Sequence, residues 1–291
     1  MPPPMSLFSP SPILNLRTDP HFQSFSGRFF SFHGQCDLLL MRSKMFAGTG
    51  VAVHIRTTRV DNARAGIMSY SYISGVAIQV GKDTLEVTDG ATLLINGSEE
   101  ALLPHAKNSA SFAGYSVTKS FKGKNKRIHV YELDLRNGAL ITIRSNIHTG
   151  LMFVDVMGYF EDSEGLLGHS TNGLVSRDGS SFAEDSSTFG SSSMAAYVNS
   201  YSESWQILDT EPMLFQEVRD PQFPHGCLYE SSASSASKLR GSRRLMDVGT
   251  EVTLEAAEAA CAKSTGDLKQ FCIDDVVAMG DVQVAEDPFY G

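Results

Sequence analysis

Two short stretches of the chain carry residue types that could act as a nucleophile or as a general base. Asp19 and His21 flank Pro20, and histidine is the commonest general base in enzymes. Residues this close in sequence do not usually face one another, so we predict that these three residues shape the entry to a first strand. The stretch from Gly168 to Asn172 departs from the Gly-x-Ser-x-Gly nucleophile elbow at its last position, and no helical pattern follows it.

No other stretch carries a recognisable catalytic pattern. The sequence lacks a His-Glu-x-x-His zinc motif, a phosphate-binding loop, a dinucleotide fingerprint and a Cys-x-x-Cys pair, and its eight histidines are scattered. We therefore predict a non-catalytic protein without a cofactor. An enzyme or ligand carrier whose site is assembled from distant residues stays an alternative, which a deep pocket with perturbed acidic and histidine side chains would favour.

Composition limits the class of protein. Of the 291 residues, 42% are apolar, which is enough to build a core. The net charge of -9 argues against nucleic acid as a partner, because phosphate binding depends on clustered Lys and Arg. The basic runs at 119–127 and 238–244 are short, and we interpret them as a solvated hairpin tip and part of a linker. No apolar stretch approaches the roughly 20 residues of a membrane-spanning helix.

The N-terminal residues differ from the rest of the chain. Residues 1–16 carry five prolines and several serines, and we predict that they are disordered. They lack the basic start and the continuous apolar segment of a secretory signal. We favour a fragment, or a mis-started sequence, of a longer precursor. A cytosolic protein is the alternative.

The elements that must position any site are mainly β-strands. From residue 22 to about Trp205, apolar residues alternate with polar ones, as in Val51, Val53 and Ile55, which predicts strands with one buried face. Asn137-Gly138 suits a tight turn and predicts a hairpin. We expect two packed antiparallel sheets in a β-sandwich-like fold, with Trp205 buried near the end of its last strand. The serine-rich stretch 180–204 is predicted to be a long loop.

The C-terminal part has another pattern. Residues 209–248 read as an extended segment followed by a Ser/Ala-rich linker, and residues 249–285 as a helical hairpin that Thr253 could cap. Four cysteines allow three pairings. Because Cys261 and Cys272 fall close together in this helix-rich segment, one local disulfide between them is expected.

The opening and closing stretches of residues 17–208 resemble a von Willebrand factor type D domain. The family begins with Asp-Pro-His, an aromatic residue and Phe-Asp-Gly, and the chain has Asp19-Pro20-His21-Phe22 and Phe25-Ser26-Gly27. Its closing signatures Gly-Leu-Cys-Gly, Pro-Asp-Gly and Ser-Trp-Lys-Val resemble Gly165-Leu166-Leu167-Gly168, Arg177-Asp178-Gly179 and Ser204-Trp205-Gln206-Ile207. The resemblance implies an extracellular binding or structural module.

The resemblance also implies a calcium site that this chain retains only in part. Many type D domains hold a structural calcium ion through oxygens of the Phe-Asp-Gly aspartate and of an Asn/Asp-rich loop. Here Ser26 replaces that aspartate, and His169 and Thr171 replace two oxygen-rich loop positions. Asn172 and Asp178 remain as candidate ligands. We therefore predict a weak, degenerate calcium site or none.

Two further modifications follow from the extracellular interpretation. With Cys261 and Cys272 joined, Cys36 is left with Cys227, and the family joins equivalent places, although there the second cysteine follows the tryptophan more closely. Four reduced, buried thiols in a cytosolic protein are the alternative. Asn96-Gly97-Ser98 is a glycosylation sequon in a secreted chain. The same Asn96 could equally serve only as a turn residue.

The resulting functional prediction is a non-catalytic adhesion or matrix-assembly module, extracellular or at the cell surface, with protein or glycan partners. Nucleic acid and membrane insertion are not expected, and the oligomeric state stays open. An intracellular derivative that binds a protein partner is a further alternative, which free thiols would favour.

Overall fold

The computed structural model describes most of the chain in eleven segments. They comprise residues 21–60, 70–88, 91–102, 109–122, 126–147, 150–169, 171–181, 192–216, 223–228, 252–279 and 282–286. The predicted disordered start and the Ser/Ala-rich linker lie outside the described residues. The predicted domain boundaries stay predictions.

Thirteen strands, all paired antiparallel, form the body of the described structure. They are β1 (His21–Gln23), β2 (Phe29–Ser31), β3 (Asp37–Ser43), β4 (Val51–Val60), β5 (Tyr70–Val80), β6 (Asp83–Thr88), β7 (Leu93–Ile95), β8 (Ser98–Glu99), β9 (Ser109–Phe112), β10 (Tyr115–Lys122), β11 (Ile128–Arg136), β12 (Ala139–Asn146) and β13 (Met152–Met157). The prediction of a mainly antiparallel β fold with a short C-terminal helical hairpin is confirmed.

One curled sheet of eleven strands encloses most of the core. The long strand β5 is its branch point: one edge pairs with β4, and the other pairs first with β13 and then with β6. From β5 the sheet runs outward to β8 in one direction and to β9 in the other. The strand pattern predicts two packed antiparallel sheets, and the structure has one sheet of eleven strands and a second formed by β1 and β2 alone.

The hairpin around Asn137 follows the sequence prediction. Strands β11 and β12 pair antiparallel, and the residues between them adopt the positive φ angles of a tight turn, 51° at Asn137 and 81° at Gly138. Inward residues of β11 such as Leu133 and Leu135 are buried, while Glu132 and Asp134 are exposed. The alternation seen in the sequence therefore marks the two faces of the sheet.

A helix occupies much of the stretch predicted to be a loop. Helix α1 spans Ser192–Ser204, so the loop prediction is wrong for these residues. Val198 and Tyr201 on this helix join the main core together with Trp205, which is 4% exposed. Burial of this apolar face stabilises a helix whose serines have modest helix propensity. Trp205 is buried as expected, but it follows the helix and does not belong to a strand.

The C-terminal segment forms the predicted helical hairpin. Helix α2 spans Leu254–Ala260 and helix α3 spans Asp267–Met279, followed by a 3₁₀ turn at Val282–Glu286. The Thr253 side chain accepts a hydrogen bond of 3.2 Å from the Ala256 amide and so caps α2. A disulfide joins Cys261 to Cys272, with Cα atoms 5.8 Å apart. Among the described helices, none is long and apolar enough to cross a membrane.

Candidate functional site

The outer edge of β3 is covered by segments that are distant in sequence. The Leu39 amide donates to the Trp205 carbonyl at 2.8 Å, and the Ile207 amide donates to the Asp37 carbonyl at 3.0 Å. Farther along the strand, Arg42 and Glu164 exchange two backbone hydrogen bonds of 2.8 and 2.9 Å. An exposed strand edge would otherwise present unpaired amides and carbonyls to solvent, so these contacts complete the sheet.

A disulfide fixes a third segment at the start of the same edge. Cys36, directly before β3, is bonded to Cys227, and their Cα atoms are 4.8 Å apart. Gln35 and Leu228 exchange two backbone hydrogen bonds beside this bridge. The structure thus contains the two pairings that the sequence analysis expects, and the described residues include no free cysteine. We call β3 with these three covering segments the sealed edge.

After Ile207 the described chain runs over the outer face of the sheet as far as residue 216. Leu214 and Phe215 are buried against Ala52 of β4 and Ala77 of β5. The next amide, that of Gln216, donates to the Glu86 carboxylate at 2.6 Å. We call residues 208–216 the strap. Small side chains beneath it allow this close approach: a Cβ atom at Gly75 would lie 3.2 Å from the Phe215 ring.

Four charged residues connect the strap to the sealed edge. Arg42 forms ion pairs with Glu164 at 2.7 Å and with Glu211 at 3.2 Å, and Arg177 reaches Glu211 at 2.8 Å. Burial alone would raise the pKa of the Glu211 carboxyl, but the hydrogen bonds from Arg177 and the Leu208 amide and the nearby charge of Arg42 hold it below its ordinary value. The pairs thus keep Glu211 ionised within the fold.

His54 of β4 lies in the same charged environment. Burial lowers its pKa to about 4, opposed by Glu211 and reinforced by Arg42 and Arg177. Its Nδ1 atom is buried without a hydrogen-bond partner in the described structure. Cross-strand register places His54 beside Ala77, which the strap covers. The imidazole is therefore held neutral beneath the strap.

The predicted calcium loop is closed by its own hydrogen bonds. His169 and Gly173 exchange two backbone bonds of 2.8 and 3.2 Å. The Nδ1 atom of His169 accepts from the Thr171 amide at 3.1 Å, and the Thr171 hydroxyl lies 2.9 Å from this nitrogen and 3.1 Å from the Asn172 side-chain oxygen, so its one proton serves one of these two acceptors at a time. A histidine nitrogen therefore occupies the centre of a loop where a calcium site would need oxygens.

The other two candidate positions are also engaged locally. The Asp178 carboxylate accepts from the Ser180 amide at 2.9 Å, and hydrogen bonds from Ser180 lower the pKa of this exposed carboxyl. The Ser26 hydroxyl lies 2.9 Å from that of Ser24. Among the described residues no three His, Cys, Asp or Glu side chains converge as a metal site would require. The donor set does not fit a tight calcium site, and weak binding stays a prediction.

The stretches considered for catalysis are only partly described. Asp19, Pro20 and Ser170 lie outside the described residues. The His21 ring stacks on Phe271 of α3, with centroids 4.1 Å apart, and its Nδ1 atom hydrogen-bonds the Ser31 hydroxyl. His21 therefore links the β1–β2 ribbon to the C-terminal hairpin.

Asn96 occupies a tight turn between β7 and β8. Its φ angle is 49°, its side-chain oxygen accepts from the Thr84 amide at 2.8 Å, and its side-chain nitrogen donates to Asp83 at 3.0 Å. These bonds supply a structural reason for asparagine at this position. They leave glycosylation as a prediction, and a glycan would have to join the nitrogen that now contacts Asp83.

Sequence reasoning missed the ionic cluster beneath the strap. Glu164 directly precedes one closing signature and Arg177 begins another, and this position was their only local signal. Their partners Arg42 and Glu211 lie far away in sequence, so no spacing rule could connect them. His54 gave no signal either, since a histidine among the apolar residues of a strand has no particular pattern.

Comparison with family models places most of the β structure in one family. The model of the von Willebrand factor type D domain matches residues 15–172, which is more than half of the chain. The matched range contains β1 to β13 and the loop at His169, whereas α1, the strap, Cys227 and the helical hairpin follow it. Comparison with curated proteins gives no match.

Proposed function

The chain belongs to the von Willebrand factor type D family, and from this premise we propose that it is an adhesion or matrix-assembly module that acts outside the cell or at its surface. Domains of this family are generally non-catalytic. The proposed partners are proteins or glycans of the matrix or the cell surface.

The observation that carries the extracellular proposal is the use of all four cysteines in two disulfides. Disulfides persist in oxidising compartments, whereas the cytosol keeps most thiols reduced. The Cys36–Cys227 bond joins positions 191 residues apart and fixes the sealed edge, so the fold depends on oxidation at a structural position. This is what favours the extracellular module over an intracellular derivative.

The surface of the described sheet offers little support for the alternative of a secreted enzyme. A shallow groove of about 470 Å³ lies over β10 to β13 and is lined by Thr118, Glu132, Asp134 and Leu140, among others. Both of its carboxylates are on exposed residues. The strongly perturbed His54 is instead covered by the strap, away from these groove-lining residues. This groove therefore does not combine a deep pocket with perturbed acid and base groups.

The test is to produce the full chain in two compartments. One sample is secreted behind a heterologous leader peptide and the other is made in a reducing cytosol. Thiol titration and peptide mapping should find both disulfides in the secreted sample, which should also bind an immobilised cell-derived matrix. The secreted chain after reduction and alkylation is the control and should bind much less.

Two outcomes would contradict the proposal. A cytosolic sample with four free thiols and the same unfolding midpoint as the secreted one would favour the intracellular derivative. Equal matrix binding by the native and the reduced, alkylated chain would show that binding does not require the fold.

A further inference from the structure

The hairpin end formed by β10 and β11 is strongly basic although the whole chain is acidic. Residues 116–131 contain no Asp or Glu, whereas the chain has a net charge of -9. We call the basic side chains of this end the basic tip: Lys119, Lys122, Lys126, Arg127 and His129. Such a local reversal of charge favours an anionic partner.

Two lysines of the basic tip are held by aromatic rings and not by carboxylates. The Nζ atoms of Lys119 and Lys126 each lie 5.8 Å from the centroid of Phe121, and Lys119 lies 5.0 Å from that of Tyr131. Neither lysine forms an ion pair with a described carboxylate. The rings position the ammonium groups by cation–π attraction and leave their three N–H donors available to a ligand.

Two hydrogen-bonding atoms lie unsatisfied on the same face of the sheet. Register places His129 directly opposite Ser145 of β12, and both share this face with Lys119 and Phe121. His129 Nδ1 and Ser145 Oγ are buried and have no hydrogen-bond partner among the described residues. Phe121 packs edge-on against the His129 ring at 4.7 Å. Buried nitrogen and oxygen atoms without a hydrogen-bond partner are uncommon in proteins, and they indicate that water or a ligand supplies the partner.

We propose that the basic tip binds the sulfate groups of a sulfated glycan chain. The inference rests on the proposed extracellular function and names the class of partner. A sulfate group offers only acceptor oxygens, and the basic tip offers only donors at its charged ends: two ammonium groups beside Phe121, the ammonium of Lys122 and the guanidinium of Arg127. Arg127 already donates to Gln283 at 3.2 Å, which orients it.

The other polyanions fit less well. A nucleic acid would extend beyond this short tip along a surface whose overall charge is negative, and an oxidised extracellular chain would rarely meet one. One apolar side chain at the described tip is exposed, that of Ile147, whose amide donates to the Arg127 carbonyl, whereas Phe121 and Tyr131 are covered at least in part. A single apolar side chain is a small anchor, so an anionic membrane would be held mainly by charge.

The acid–base environment agrees with a bound anion. Burial lowers the pKa of Lys119, and burial together with the charge of Lys119 lowers that of His129. Partial desolvation therefore disfavours the charged form of Lys119, and the charge of Lys119 adds to desolvation in disfavouring the charged form of His129. An anion placed between them would stabilise the charged form of each.

The experiment measures binding of the full, oxidised chain to an immobilised heparin octasaccharide. Lys119→Gln combined with Lys126→Gln should weaken binding about tenfold, since each ammonium contributes a charge-assisted contact. The dependence of log affinity on the logarithm of the salt concentration should become shallower, with the magnitude of its slope reduced by about 1.5. The matched control is Lys82→Gln with Lys269→Gln, which removes two exposed lysines elsewhere and should change affinity less than about twofold.

Further ligands decide between partner classes. A hyaluronan oligosaccharide of equal length carries carboxylates but no sulfate and should bind at least about tenfold more weakly. Equal loss of heparin binding in both double variants, or equal affinity for hyaluronan, would overturn the proposal. Tighter binding of a single-stranded oligonucleotide or of phosphatidylserine vesicles would overturn it in favour of that class. If the variant with Lys119 and Lys126 replaced still binds the cell-derived matrix, the proposed function stands even where the assignment of a sulfated glycan to the basic tip fails.

Discussion

The sealed edge and the basic tip use charge in opposite ways. At the sealed edge, Arg42 and Arg177 are each paired with a carboxylate within 3.2 Å, and the strap brings Glu211 to both. At the basic tip, the charged groups of Lys119 and Lys126 lie over aromatic rings, and neither pairs with a carboxylate of the described residues. Paired charges connect distant segments of the fold, whereas unpaired charges on a rigid hairpin are available to a partner. The difference separates residues that should govern stability from residues that should govern binding.

The largest effect should come from the disulfide of the sealed edge. Replacing Cys36 and Cys227 together by serine should lower the free energy of unfolding by about 5 kcal/mol, because the bond spans 191 residues. Replacing Cys261 and Cys272 together should cost about 3 kcal/mol, since that bond spans 11 residues. Urea unfolding followed by fluorescence of Trp205 should respond mainly to the first pair. An equal loss of unfolding free energy in both double variants would show that the Cys36–Cys227 bond stabilises the fold no more than the local Cys261–Cys272 bond does.

Acid should destabilise the sealed edge through His54. Its pKa is about 4 in the folded protein against 6.5 ordinarily, so the unfolded chain binds the proton more readily. The contribution of neutral His54 to the free energy of unfolding is fully present above about pH 6.5. It decreases by about 3 kcal/mol as the pH drops toward 4. Urea midpoints of the His54→Gln variant should depend less on pH over this range, while His225→Gln, at an exposed position, should keep the original dependence. An unchanged slope in His54→Gln would exclude His54 as the acid-sensitive group.

One neutralising substitution in each region sharpens the comparison. Glu211→Gln leaves two partly buried guanidinium groups short of a counter-charge and should cost about 2 kcal/mol. The exposed Glu203→Gln on α1 is its control and should change stability by less than about 0.5 kcal/mol. Lys119→Gln at the basic tip should also leave thermal stability nearly unchanged. A loss at Lys119 as large as that at Glu211 would contradict the proposed division of roles.

The smallest effect is expected from calcium. Because His169 and Ser26 stand where oxygen-rich ligands are needed, calorimetric titration at neutral pH should show no affinity tighter than the high micromolar range. Addition of about 1 mM calcium should then raise the free energy of unfolding by no more than about 1 kcal/mol. A submicromolar affinity that is lost in Asp178→Ala would restore a true calcium site.

Local patterns predicted the strands and turns well. The Asn137-Gly138 hairpin and the Thr253 cap of α2 follow from backbone preferences that act over a few residues. Helix α1 was missed because serine-rich composition was given more weight than spacing. Val198, Tyr201 and Trp205 recur at i, i+3 and i+7, and that apolar stripe was the signal that could have revealed the helix.

Long-range features could not be predicted in the same way. The route of the strap depends on the fit of Phe215 over Ala77 and Gly75, which is a matter of shape and not of local pattern. The basic run at 119–127 was visible, but its interpretation as a solvated tip did not anticipate that two of its lysines lie over the Phe121 ring. Tertiary packing decides which charges become paired, and a single sequence does not record that choice.

The Cys36–Cys227 bond also determines how the chain would carry mechanical tension. A pull applied upstream of Cys36 and downstream of Cys227 would pass through the sulfur bridge and bypass the 191-residue separation between them. While the bond is intact, the chain between the two cysteines cannot be extended, which withholds roughly 650 Å of contour length at about 3.4 Å per residue. Reduction of this one bond would make that length extensible, so the module would change from a short rigid link into a long compliant one.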